Sequence, residues 1–224
     1  MSLNWDTEQY DNKDTLLKFA TTGQKNIDVF YHPWLDGGGR YNAKEFCAII
    51  HRKYTTRKFT RCFEWCAGPG FIGFELLDHD VCQTLCLSES YDPSVVCTEL
   101  TIEENKLEDR VTTYLLKDLS LLPITEKFDL VVANPPHYST AMGKVAQATD
   151  YTTHRLSIDK HWKAHINFFN NIKKHLTDNG VIFLFESHKG STVDSFNDKI
   201  IQAGLQITEI TESGDNYYME ITHA

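Results

Sequence analysis

Beyond about residue 58, short apolar runs alternate with stretches of helical spacing. Cys62-Phe63-Glu64-Trp65 reads as a strand, followed by a glycine turn and a helix from Phe71 to His79. Thr84 to Ser88 is the next strand, and a helix follows from about Ser94 to Asn105. Arg110 to Leu116 is a third strand. Phe128 to Ala133 is a fourth, nearly all apolar, as suits a strand covered on both faces. A long loop leads to an amphipathic helix from about Lys160 to Leu176, and Thr177 to Gly180 is a turn. Val181 to Phe185 is a fifth strand, and a helix from about Val193 to Ala203 ends at Gly204. Two last strands, Gln206 to Glu212 and Tyr217 to Thr222, flank Ser213-Gly214-Asp215-Asn216, a hairpin signal. This alternation predicts an α/β fold: a doubly wound, mostly parallel seven-stranded sheet with helices on both faces and an antiparallel hairpin near one edge.

Residues 1–58 read as an N-terminal extension and 59–224 as the sheet domain. The extension holds a polar start, the glycine-rich Leu35-Asp36-Gly37-Gly38-Gly39-Arg40 and a helix from Ala43 to Tyr54, with Asn42 as its N-cap. No run is long enough to span a bilayer, and Met1 to Asp6 lack a basic region followed by an apolar one, so a cytoplasmic location is expected. The net charge of −9 disfavours a protein that grips duplex DNA mainly by its phosphates. The one basic run, Arg52, Lys53, Arg57, Lys58 and Arg61, reads as a solvated helix end and linker. The cysteines match no zinc spacing and read as reduced, mostly buried thiols; no metal is expected. His161 and His165 lie four apart on a helix but lack the glutamate of a zinc-protease motif, and are expected at the surface.

In such sheets ligands sit beyond the carboxyl ends of the strands, where strand order reverses. The loop Glu64-Trp65-Cys66-Ala67-Gly68-Pro69-Gly70 brings backbone close to a ligand and turns into a helix, and Glu89 ends the second strand where an acid accepts ribose hydroxyls. Gly68, Gly70 and Gly73 also fit the dinucleotide fingerprint of dehydrogenases. Two features separate these possibilities. An acid, Glu64, precedes the glycines, and the fourth strand runs into Asn134-Pro135-Pro136-His137-Tyr138.

Here the chain resembles the class I S-adenosylmethionine (SAM)-dependent methyltransferases, in particular the amino-methylating branch with an Asn/Asp-Pro-Pro-Tyr/Phe loop. That branch includes release-factor glutamine, adenine-N6 DNA and several ribosomal RNA methyltransferases. The resemblance spans about residues 34–222 and implies the strand order 3-2-1-4-5-7-6 and SAM as cofactor. It implies that Glu64 lies near the methionine end of SAM, that Cys66, Ala67, Gly68 and Gly70 surround its amino acid and ribose, and that Glu89 takes the ribose hydroxyls. It places Asp118 and Leu119 at the adenine and Asn134 to Tyr138 in the catalytic loop, with Gly39, Arg40 and Asn42 in a segment covering the methionine moiety. Two positions depart from the pattern: Cys66 stands where glycine is usual, and His137 where a larger aromatic ring stacks on the substrate.

An Asn-Pro-Pro loop suits transfer to a planar amine. The nitrogen lone pair is delocalised, and two acceptors, the Asn134 side-chain oxygen and the Pro135 carbonyl, can hold both N–H donors and turn that lone pair toward the methyl. Proline adds no competing donor. The substrate is an amino group on protein, on RNA or DNA, or on a small molecule, without a membrane partner. A nicotinamide-dependent oxidoreductase and a catalytically silent SAM-fold binding module are the alternatives.

Overall fold

The computed structural model describes residues 15–140 and 156–224. The polar N-terminal start and most of the long loop expected between the fourth strand and the helix from Lys160 lie outside the described residues. In chain order the strands are β1 (Leu17–Ala20), β2 (Asp28–Tyr31), β3 (Phe59–Trp65), β4 (Cys82–Glu89), β5 (Val111–Leu115), β6 (Phe128–Ala133), β7 (Leu176–Ser187), β8 (Leu205–Ser213) and β9 (Asn216–His223). The α-helices are α1 (Gly39–Lys53), α2 (Phe71–Asp78), α3 (Asp92–Glu104), α4 (Lys163–Ile172) and α5 (Asp194–Gln202).

Seven strands form one sheet in the order β5-β4-β3-β6-β7-β9-β8. The expected order is met: counted from β3 as the first strand of the sheet, it is 3-2-1-4-5-7-6. β3, β4, β5, β6 and β7 run parallel, and β9 lies antiparallel between β7 and β8. Because successive side chains point to opposite faces, each central strand feeds two cores. Cys62, Leu130 and Val132 pack with Phe46 and Ile50 of α1 and with Phe71 and Phe74 of α2. Phe63, Val131 and Ala133 pack with Phe168 and Phe169 of α4 and with Phe196 of α5.

The sequence differs from the fold in four places. β1 and β2, which carry no marked apolar pattern, form an antiparallel hairpin. It is fastened to α2 by the buried carboxylates of Asp78 and Glu75, which accept the Thr21 hydroxyl (2.6 Å) and the Thr22 amide (3.1 Å). Asn42 is not an N-cap, because α1 already begins at Gly39 behind a left-handed Gly38 (φ 96°), whose amide donates to Asp36 Oδ1. The expected turn Thr177 to Gly180 bulges within β7, since Phe128 pairs with Leu176 but Leu130 with Val181. The helix expected from Lys160 is interrupted by left-handed His161 and Trp162, and α4 proper starts at Lys163.

That break overturns the surface reading of His165. The two histidines do not share a helical face. His161 is exposed, whereas His165 sits on the stripe of Phe168, Phe169 and Ile172 and is fully buried. All six cysteines are free, five of them buried. In the basic run, Lys53 pairs with Glu209 and Glu220, Arg61 with Glu126, and Arg57 donates to the Asn179 carbonyl while lying over the Phe59 ring. Among the described residues no helix is long and apolar enough to cross a membrane.

Candidate active site

A cleft of about 280 Å³ opens beyond the carboxyl ends of β3, β4 and β6. There the strand order reverses, the position at which a doubly wound sheet leaves a crevice. The floor is the β3–α2 turn, with Glu64, Cys66, Ala67 and Gly68, bordered by Glu89 at the end of β4. Asn134 and Pro136 form one wall, Ile158, Asp159 and Ala164 the next, and Leu35, Gly37 and Gly39 of the N-terminal segment close the third.

The turn is shaped by tight geometry. Gly70 (φ 85°) caps α2 in the left-handed region. Gly73 must lack a side chain, because a Cβ there would stand 2.6 Å from Glu64 Oε2. Cys66, which replaces the usual glycine, adopts φ 55°. An L-residue in that region pays roughly 1–2 kcal/mol.

Two carboxylates define the electrostatics of the floor. Glu64 is almost fully buried and accepts the Gly73 amide at 2.7 Å. Burial raises its pKa from 4.5 to about 8, against the pull of the Gly73 and Ile72 amides. Glu89 accepts the amides of Gly68 (3.0 Å), Ser90 (2.6 Å) and Tyr91 (3.1 Å), so it orders the glycine turn as well as facing the cleft.

At the end of β6 the Asn134 amide nitrogen donates to the Gly37 carbonyl at 3.4 Å, linking two walls. Its side-chain oxygen is buried with no hydrogen-bond partner among the described residues. A buried acceptor left unmade costs about 1–3 kcal/mol, so such a group at a cleft wall points to a donor supplied by a ligand.

Of the residues singled out in the sequence, Gly39, Glu64, Cys66, Ala67, Gly68, Glu89, Asn134 and Pro136 thus meet around one cleft. Gly70 and Pro135 stand next to it in the chain. The others are placed outside its lining. Arg40 is bound to Asp36 at 2.9 Å, its guanidinium over the rings of Tyr31 and Tyr41. Asp118 caps a short 3-10 turn (Leu119–Leu121) and is exposed. The Asn167 amide group spans this pair, donating to Asp118 Oδ1 (2.7 Å) while accepting the Leu119 amide (2.8 Å). The Asn167 and Ser120 donors hold the Asp118 carboxyl below its usual range. The Tyr138 amide donates to the Ser157 carbonyl, and the Tyr138 carbonyl accepts the Asp159 amide.

His137 does not line the cleft; its ring lies edge-on to Phe185 and its Nδ1 reaches Glu186 Oε2 at 3.3 Å. Sequence reasoning missed the group it joins. Glu186 and His165 are fully buried and 2.8 Å apart, and the other nitrogen of His165 meets Asp159 at 2.7 Å. Burial works against the His165 imidazolium, but the charges of Glu186 and Asp159 and the bonds to both raise it to about 9. Burial works against the Glu186 carboxylate, but the His165 charge together with the hydrogen bonds to His137 and His165 holds it below its usual range. A histidine interrupting an apolar helical stripe and an acid ending an apolar strand were the available signals.

The fold and this cleft have known counterparts. A search of curated proteins finds no match. Solved structures of the same fold include a ribosomal protein L11 methylase from Lactobacillus delbrueckii subsp. bulgaricus, with TM-score 0.57 and 12% identity over 82% of this chain and 79% of that one. A SAM-dependent methyltransferase from Clostridium acetobutylicum ATCC 824 has TM-score 0.57 and 10% identity over 83% of this chain and 92% of that one. The glycopeptide N-methyltransferase MtfA, solved with SAM, has TM-score 0.56 and 13% identity over 83% and 94%. The model of the methyltransferase small domain matches residues 28–217 and displaces the nicotinamide-dependent alternative. The chain therefore belongs to the methyltransferase small domain family and is a SAM-dependent methyltransferase.

Proposed function

We propose that this methyltransferase acts on a planar amino nitrogen, either a nucleobase exocyclic amine or a protein glutamine amide, in the cleft beyond β3, β4 and β6. The observation that carries this reading is the buried, unpartnered Asn134 side-chain oxygen at the cleft wall. Two prolines follow it, so the next acceptors are backbone carbonyls without competing amides.

The residues present fit SAM. Two carboxylates, Glu64 and Glu89, suit a cationic ligand that carries ribose hydroxyls, and the backbone of Cys66, Ala67, Gly68 and Gly70 lets it approach closely. When bound, SAM supplies an electrophilic methyl carbon on a sulfonium. Glu64 faces the methionine end in this reading, Glu89 the ribose, and Asp118 with Leu119 the adenine. The segment from Leu35 to Arg40, part of an N-terminal unit of residues 1–58, covers the methionine moiety. Asn134 and the Pro135 carbonyl accept the two N–H donors of the substrate and hold its lone pair toward the methyl carbon. Their dipoles stabilise the positive charge that grows on nitrogen. With a net charge of −9, a protein amide or a structured RNA fits better than long duplex DNA.

The test begins with tritiated SAM and a cell extract separated into protein, RNA and small-molecule fractions. Asn134→Ala should cut transfer to the labelled fraction by ~10²–10³ with SAM affinity little changed. Asn134→Asp, which keeps an acceptor, should retain activity. Near-native transfer by Asn134→Ala would reduce the loop to a structural turn.

A further inference from the structure

The cleft walls meet behind the site in a buried polar chain. Asp159, itself on the cleft, binds His165, which binds Glu186, which binds His137, the residue immediately after Pro136. Three separate segments are thereby tied: the loop after β6, the end of β7 and the start of α4. The chain is closed by further bonds. Asp159 also accepts the amides of Ala164 (2.9 Å) and His165 (3.0 Å), and the Ser191 hydroxyl donates to Glu186 Oε2 (3.0 Å) while meeting the Tyr217 hydroxyl (2.9 Å). The His165 ring stacks on Phe196 at 4.7 Å and meets Trp65 and Trp162 edge-on at 5.4 and 5.2 Å. The loop also presses on β7's following turn: a Cβ on Gly190 would fall 2.1 Å from the His137 carbonyl oxygen.

We infer that His137 is an anchor rather than a stacking ring, and that Glu186 and His165 are positioning residues that hold the Asn134-Pro135-Pro136 loop at a fixed distance from the wall bearing Asp159. The inference rests on the amino-transfer reading of that loop. Two points carry it. The His137 ring is turned to Glu186 and Phe185. The group it binds is also wholly buried, and buried ion pairs missing one partner are strongly unfavourable, so the arrangement is held as a unit. A backbone bridge between Tyr138 and Ile158 runs beside it, so a shift of His137 transmits directly to Asp159.

The two roles for His137 predict opposite rankings of two substitutions. His137→Asn keeps a polar atom where Nδ1 stands and can still reach Glu186. His137→Phe supplies a better stacking ring and no bond to Glu186. Methyl transfer from tritiated SAM to the labelled extract fraction should fall in both, with the Phe variant at least tenfold below the Asn variant, mainly in kcat. Hydrogen exchange at the Tyr138 and Asp159 amides gives a readout that needs no substrate: protection should drop in His137→Phe and in Glu186→Gln, and persist in His137→Asn. A Phe variant as active as native protein, or unchanged exchange in both His137→Phe and Glu186→Gln, would overturn the anchor. Failure of the native chain to label any fraction would count against the amino-transfer reading alone, and the exchange pattern would still decide the anchor.

Discussion

Glu64→Gln tests whether a neutral acid at the cleft floor is charged by its ligand. The carboxyl has one amide donor at 2.7 Å, faces the neighbouring charge of Glu89 and is almost fully buried, which lifts it from 4.5 to about 8. That rise corresponds to roughly 5 kcal/mol of preference for the protonated form. The folded state therefore binds this proton more tightly than the unfolded chain. The sign follows: the contribution to stability is complete below pH 4.5 and declines as pH rises to about 8. Glutamine is isosteric with the protonated acid and keeps an acceptor for Gly73. The variant should thus gain stability relative to native protein as pH is raised from 5 to 8.5, by about 2 kcal/mol or more at the upper end. SAM carries its charge as a sulfonium and an ammonium, and so favours the ionised acid. Native protein should release close to one proton on binding SAM near pH 7, while Glu64→Gln releases almost none and binds at least tenfold more weakly. Calorimetry in two buffers of different ionisation enthalpy counts the proton, and denaturant unfolding across pH measures the stability. Equal proton release by both proteins, with parallel stability curves, would refute the reasoning.

Three further outcomes are expected. Gly190→Ala should destabilise the protein by about 1–3 kcal/mol, since a methyl would drive into the His137 carbonyl, and should lower transfer more than SAM affinity; an unperturbed unfolding midpoint would contradict it. Asn167→Ala should tighten SAM binding severalfold if Asp118 and Leu119 meet the adenine, because the Asn167 amide occupies the same acceptor and donor; unchanged calorimetric affinity would put the adenine elsewhere. The His165 charge contributes stability fully below pH 6.5 and loses it as pH passes about 9, so protection of the Tyr138 and Asp159 amides, taken relative to base-catalysed exchange of the unfolded chain, should fall through about pH 9 in native protein and show no such step in His165→Gln.

The strands and the cleft were legible because both depend on local spacing, whereas the order of the strands followed from the family resemblance. A run such as Leu130-Val131-Val132-Ala133, short, β-branched at its centre and apolar at every position, suits a strand covered on both faces. Glu64, Glu89 and Asn134 stand at strand ends, so the sheet alone brings them to one edge. The hairpin of β1 and β2 was not legible. Its strands are four residues long, and their fastening depends on Asp78 and Glu75 more than fifty positions away.

His165 was misread for a related reason. Taken with His161, it looks like one polar face of a helix that begins at Lys160. Taken with Phe168, Phe169 and Ile172, it belongs to an apolar stripe. The left-handed pair His161 and Trp162 decides between them, and no residue type there demands that conformation. Yet a titratable group on an apolar stripe has to find a charge of opposite sign or give up its own. Glu186 ends a strand that is buried throughout its apolar run. β7 lies directly beside β6, so once the order of the sheet is known Glu186 must stand next to the Asn-Pro-Pro loop. The partner for His165 and the partner for His137 are then the same carboxylate, which, on the proposed reading of the Asn-Pro-Pro loop, makes the position of that loop depend on an ion pair that lies behind the cleft.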